Sequence, residues 1–186
     1  MKDQITQVNK RLDIQIKTLD AATKRFENRD AALFKCVVKA ISDRDKPRAN
    51  IYASELWEIR KAEKMLMHAS LALESISMRL KTVSEVGDLV TVLAPAANVL
   101  NNIQSGMAGI LPQASQELEN IGSLLGDIMN QTRQTSDSPV NIGTLANEEA
   151  EKILLEAEMA AEKKLQDQFP EAETTVTPNV RTSIEV

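Results

Sequence analysis

For its first forty or so residues this chain holds nothing that would interrupt a helix. Between Lys2 and Ser42 there is neither glycine nor proline, and Ile5, Leu12, Leu19, Phe26, Leu33 and Ala40 recur at intervals of seven. Val8, Ile16, Ala22 and Val37 fill the flanking positions. A strict seven-residue apolar repeat forms a seam down one side of a helix, and a seam that long must be covered by another helix lying along it. At ~1.5 Å per residue the helix is about 60 Å long.

The repeat breaks at Ser42-Asp43-Arg44-Asp45-Lys46-Pro47. Asp45 is placed to cap a second helix, and Pro47 in its first turn forfeits no needed hydrogen bond. So short a connection turns the chain back antiparallel. The second helix, expected over 47–93, carries Ile59, Leu66, Leu73 and Leu80 at the same spacing, beside a row of Ala62, Ala69, Ile76, Val83, Val90 and Ala97. Gly87 and Pro95 punctuate its end and are read as a hinge. Shorter helices follow over 95–111 and 114–133, apolar on one face and nearly chargeless on the other. A bare hairpin has no obvious place for those faces, so they are expected to dock on a neighbouring subunit. Residues 135–146 read as a linker, Asn147 as the cap of an acidic helix over 147–168, and residues 169–186 as a flexible tail without apolar periodicity. The fold class is all-α: a long antiparallel hairpin followed by shorter helices.

Composition narrows the function. Three Phe, one Tyr and one Trp in 186 residues fit long helices better than a sheet core. No apolar run approaches the roughly 20 residues that a membrane span needs, and the N-terminus lacks the apolar core of a signal peptide. With a lone Cys36, the expected compartment is the cytoplasm. The net charge of −5 is unevenly spread, from +4 over residues 1–46 to −7 over residues 137–186. The single histidine, His68, has no second His or Cys near it in sequence. The acidic pairs Glu148/Glu149 and Glu156/Glu158 sit in a charge-dense helix, without neighbours that would tune them for acid–base work. No phosphate-binding loop, metalloprotease helix or nucleophile elbow occurs. The expectation is a non-enzymatic protein without cofactor or metal. Nucleic acid is not an expected partner either, because Asp13, Asp20 and Glu27 interrupt the basic residues and no aromatic stacking platform accompanies them.

Those basic residues nevertheless form a stripe. Lys10, Lys17 and Lys24 share one heptad position, and Arg11, Arg25, Lys39 and Lys46 share the next. One reading is a solvated face with Asp13–Lys17 and Asp20–Lys24 pairs one turn apart. The other is contact of Lys10, Arg11, Lys17, Lys24 and Arg25 with an anionic membrane, at roughly 1 kcal/mol per basic group, multiplied wherever subunits are linked.

A basic helix of this length, a five-residue turn, a longer second helix, short helices and an acidic C-terminal helix form an order that resembles the ESCRT-III family. The run Ala53-Ser54-Glu55-Leu56-Trp57-Glu58-Ile59-Arg60-Lys61-Ala62-Glu63-Lys64-Met65 resembles the archaeal, CdvB-type cell-division branch. So do Val92-Leu93-Ala94-Pro95-Ala96, Gly106-Met107 and Ile110-Leu111-Pro112. The resemblance covers about residues 1–165. It implies a subunit of cytoplasmic filaments that constrict membrane at the division site, polymerising with itself and with paralogous subunits. It also implies disassembly by a AAA+ ATPase that grips the C-terminal region, where Leu154, Phe169, Pro170 and Pro178 are the candidate contacts. Ala157 and Glu158 stand where the family's ATPase-binding helix has Arg and Leu. No winged-helix segment follows the tail, so a short paralogue is expected. Two rivals share the hairpin: a membrane-associated coiled-coil protein of the phage-shock PspA kind, and a helical adaptor that never polymerises.

The acidic helix has its own expected role. Glu148, Glu149, Glu151, Glu156, Glu158 and Glu162 flank an apolar strip of Ile153, Leu154, Ala157, Ala161 and Leu165. That pattern suits either a latch docked on the hairpin or a segment that keeps the chain in solution.

Overall fold

The computed structural model describes residues 2–82, 86–135 and 142–168. They form five helices: α1 Lys2–Ser42, α2 Lys46–Thr82, α3 Val86–Met107, α4 Pro112–Thr135 and α5 Ile142–Gln168. Helix is the sole regular structure among the described residues. The tail from residue 169, with Phe169, Pro170 and Pro178, lies outside them, as does Val83.

α1 and α2 are the antiparallel hairpin, and their turn is built by backbone bonds. α1 closes with Asp45 N–H donating to the Ala40 carbonyl (2.9 Å) and Arg44 N–H to that of Ile41 (3.0 Å). This paired closure needs its penultimate residue in the left-handed region, and Arg44 takes that place at φ 58°. Asp45 then caps α2, its Oδ1 accepting from Arg48 N–H at 3.1 Å.

α3, α4 and α5 fold back on this hairpin: α4 lies on α1, α5 on α2, and α3 touches α2, α4 and α5. One continuous core results. It joins Leu12 and Leu19 of α1 and Leu66, Leu73, Ile76 and Leu80 of α2 to Leu93, Leu100 and Met107 of α3, Leu118, Ile121 and Leu125 of α4 and Ile153 of α5. The expected docking of the third and fourth helices on a neighbour is therefore corrected, because their apolar faces are covered within the chain. A Cβ on Gly106 would meet only the terminal methyl of Met65, at 2.9 Å, which can swing aside.

Three boundaries differ from expectation. α2 ends at Thr82, so Val90 and Ala97 belong to α3. Pro95 marks no break but is buried inside α3, as the tenth residue of that helix. A proline inside a helix forfeits its own N–H bond and crowds the preceding turn with its ring, and burial of Leu89, Leu93, Ala96, Val99 and Leu100 around it offsets that cost. Gly87 falls in the first turn of α3, so Gly87 and Pro95 do not bracket one joint. α5 begins at Ile142, which places Asn147 in its second turn and not at its cap. Buried Ala146 extends the α5 contact stripe toward the N-terminus.

Candidate functional site

The structure brings the acidic helix against the hairpin. Ala146, Ala150, Ile153, Ala157 and Ala161 are spaced by three or four residues, share one face of α5 and are all buried. Four of the five are alanine, so the α5 axis comes close and the face contributes modest apolar area. Polar contacts line its edges. Arg79 Nη1 reaches Glu149 Oε2 at 3.2 Å, and Lys64 Nζ reaches Glu162 Oε1 at 2.6 Å and Glu158 Oε1 at 3.9 Å. His68 Nε2–H donates to the Leu154 carbonyl at 2.9 Å, and Asn98 Nδ2 donates to Asn147 Oδ1 at 2.8 Å. Farther along, Gln168 Nε2 donates to Glu27 Oε1 at 3.4 Å. Lys152, then Arg79, hold the Glu149 carboxyl below the usual carboxylate range, and Glu149 in turn raises Lys152. Solvent-exposed pairs of this kind contribute little each. The contact is a clasp of small side chains and surface charges.

Of the seam residues, Leu12, Leu19, Ile59, Leu66, Leu73 and Leu80 are buried, and Ile5, Phe26 and Leu33 are half-buried. Between the helices runs a polar ladder that the apolar pattern did not announce. Ser77 Oγ donates to Asp13 Oδ1 at 3.0 Å, Ser70 Oγ to Asp20 Oδ1 at 2.7 Å, and Arg60 to Asp30 through Nε at 2.6 Å and Nη2 at 3.3 Å. In each pair the residue numbers add to ninety. The same register sets Glu27 across from Glu63, which is fully buried with neither side-chain oxygen hydrogen-bonded. Burial first, then the Asp30 and Glu27 carboxylates, raise the Glu63 pKa to about 7, against a lowering pull from Arg60.

This ladder corrects the solvated-face pairing expected on α1. Asp13 is bound by Ser77 and by Lys81 Nζ at 3.2 Å, and Asp20 by Ser70, so neither carboxylate serves Lys17 or Lys24. The basic stripe is itself divided. Lys10, Lys17 and Arg25 are exposed, Arg11 Nη1 turns to Glu117 Oε2 of α4 at 3.9 Å, and Lys24 Nζ lies 3.4 Å from Glu27. Leu154 is half-buried and packs against the core. Sequence reasoning missed Asp30, Arg60 and Glu63. The seven-residue spacing of Asp13, Asp20 and Glu27 was the signal that could have placed these carboxylates on the partner helix.

No family model matches the chain, and no solved structure gives a significant match. Named relatives do. Cell division protein B1 of Sulfolobus acidocaldarius is 35% identical over 170 residues, 91% of this chain and 79% of that protein. Cell division protein B of the same organism is 34% identical over 167 residues, covering 90% of this chain but 64% of the relative's length. Cell division protein B3 is 28% identical over 152 residues, 81% of this chain and 86% of that protein. With 35% identity across 91% of its length, the chain belongs to the CdvB-type branch of the ESCRT-III family.

Proposed function

We propose that this chain is a polymerising subunit of a cell-division apparatus, forming filaments on the cytoplasmic face of the membrane and drawing it inward. The names of its relatives supply the cell-division setting. The observation that carries the mechanism is the contrast between the two interfaces of α2. Along α1 it carries the Leu66, Leu73 and Leu80 repeat and the Asp30–Arg60 pair, whereas α5 meets it through a face of four alanines and Ile153 with charges at the rim. α5 is therefore the latch: it leaves first, and its departure uncovers α2 and α3 surface for another copy of the chain or a paralogous subunit. A AAA+ ATPase acting on the C-terminal region finds Leu154 turned toward the hairpin, so α5 must detach before that residue can be gripped. The protein's task in this scheme is mechanical, and the membrane it works on is anionic.

Electron microscopy of the purified protein at low salt tests the reading. Filaments, rings or tubulated anionic vesicles are expected. Deletion of residues 144–186 should give filaments of the same form at lower protein concentration. A dispersed species from both proteins at every concentration would overturn polymerisation, and amorphous precipitate from the deletion would reduce α5 to a solubilising segment.

A further inference from the structure

α5 lies on α2 and runs antiparallel to it, toward the turn of the hairpin. Glu149 meets Arg79, the Leu154 carbonyl meets His68, and Glu162 meets Lys64. In its last turn α5 leans toward α1, where Lys164 and Gln168 share a cleft with Glu27 and Met67. The surface that receives α5 continues beyond it. At ~100° per residue, Lys64 and His68 lie about 20° and 60° from Ala53 around α2, and Glu27 lies about 40° from Ile41 around α1. Past Gln168 the same two strips carry Trp57 and Ala53 on α2 and Phe34, Val38 and Ile41 on α1. Phe34, Val38, Ile41 and Trp57 are 50%, 48%, 62% and 61% exposed. Val37, Ile41, Ala49 and Ala53 line a groove of about 450 Å³ there, together with Arg44 and Lys46.

Among the charged residues of α2 from Lys46 to Lys61, only Lys46, Arg60 and Lys61 fall within about 80° of Ala53, and Arg48, Glu55 and Glu58 fall at least about 140° away. Arg60 is engaged with Asp30, whereas the Lys61 ammonium leans over the Trp57 ring at 5.2 Å. α1 adds no carboxylate from Phe34 to Ser42, and Asp45 in the turn is engaged in capping α2. The chain that leaves α5 has the complementary character. It reads Phe169-Pro170-Glu171-Ala172-Glu173-Thr174-Thr175-Val176, two carboxylates between two large apolar residues and no Lys or Arg. Pro170 disfavours helical backbone at the residue before it, and α5 gives way at Gln168. Eight extended residues at ~3.3 Å each reach about 26 Å. The rise along α2 from Arg60 back to Lys46 is about 21 Å.

We propose that residues 169–176 of this same chain occupy the groove, with Phe169 against Phe34 and Trp57, Val176 against Ile41 and Ala53, and Glu171 and Glu173 beside Lys61 and Lys46. A segment tethered at the mouth of a groove meets it at an effective concentration on the order of millimolar, which favours this chain's own segment over that of a second copy. The seat adds an aromatic contact to the alanine face of α5. It is made within one chain and stands whether or not the chain polymerises.

Trp57 is the chain's one tryptophan, so its emission reports this groove alone. Acrylamide should quench it about twofold less in the full-length protein than in Phe169→Ser/Val176→Ser or in a chain lacking residues 169–186. Glu171→Lys/Glu173→Lys should fall between. None of these changes touches the buried core, so helix content should stay at the wild-type level. Equal quenching in all four proteins would overturn the proposal. Shielding that grows with protein concentration would give the groove to a second copy and overturn it as well. A second measurement reads proximity directly, with Cys36 replaced by serine. Under mild oxidation, Ala53→Cys/Val176→Cys should close an intramolecular disulfide at least tenfold faster than Glu55→Cys/Val176→Cys, whose α2 cysteine faces the other way. Equal rates for the two pairs would place the segment elsewhere.

Discussion

Asp30 of α1 and Arg60 of α2 clasp one another across the hairpin with two hydrogen bonds, and Asp30 is 1% exposed. A buried carboxylate tolerates its surroundings only while its partner stays. Arg60→Ala should therefore cost about 3 kcal/mol in chemical denaturation. Replacing both residues by leucine should return most of that loss. Equal stability of Arg60→Ala and wild type would show that water, and not Arg60, satisfies Asp30.

Glu63 gives the fold a pH dependence of definite sign. Its pKa is about 7 in the folded chain against an ordinary 4.5. Below the ordinary value both states hold the proton and the protein has its full stability. As pH rises through about 7 the folded state must accept a buried charge, and stability falls. The melting temperature should drop between pH 5 and pH 8, and Glu63→Gln should flatten that slope. A wild-type slope kept intact in the variant would assign the titration elsewhere.

Leu73 is completely buried between the helices of the hairpin and the elements above them. Leu73→Ala should cost about 2–5 kcal/mol through the cavity it leaves, and Leu73→Asp should abolish cooperative unfolding. Melting curves of the two variants check this directly.

The clasp should open before the seam. Lys64→Glu/Arg79→Glu turns both rim attractions into repulsions against Glu149, Glu158 and Glu162. Amide hydrogen exchange should then lose protection over residues 146–165, with protection kept at Leu19 and Leu73. Simultaneous loss in both places would mean that α5 and the seam unfold as one unit.

Arg44 holds a left-handed backbone that glycine adopts without strain. Arg44→Gly should stabilise the hairpin by about 0.5–1 kcal/mol, read from the denaturation midpoint, net of the extra entropy glycine gains when unfolded.

The long helices were legible because their signal is periodic. A seven-residue apolar repeat without Gly or Pro leaves α1 few alternatives, and Asp45-Lys46-Pro47 carries its own start signal. Boundaries without such chemistry were not legible. No Gly or Pro marks the end of α2 at Thr82, while the proline that was taken for punctuation lies within α3. Its buried neighbours outweigh the lost bond and the crowding of its ring. Asn147 misled in the same way, since an asparagine suited to capping serves instead as acceptor for Asn98. Glu63 could not be found from spacing alone, because its unusual state depends on which α1 residues lie opposite, and that alignment is tertiary.

That alignment has a further consequence. Leucines repeating every seven residues would zip almost as well one heptad out of step, so the apolar seam by itself leaves the length of the hairpin undecided. Sliding α2 by seven residues one way would set Asp20 against Glu63; sliding it the other way would set Asp30 against Met67. Neither slip keeps Asp30 with Arg60. The carboxylates act as a vernier on the seam, admitting one setting of the two helices. Every copy of the chain then carries the same distance from the Asp43–Asp45 turn to the end of α2. An array built from such copies inherits a constant rung length, whatever curvature it takes up.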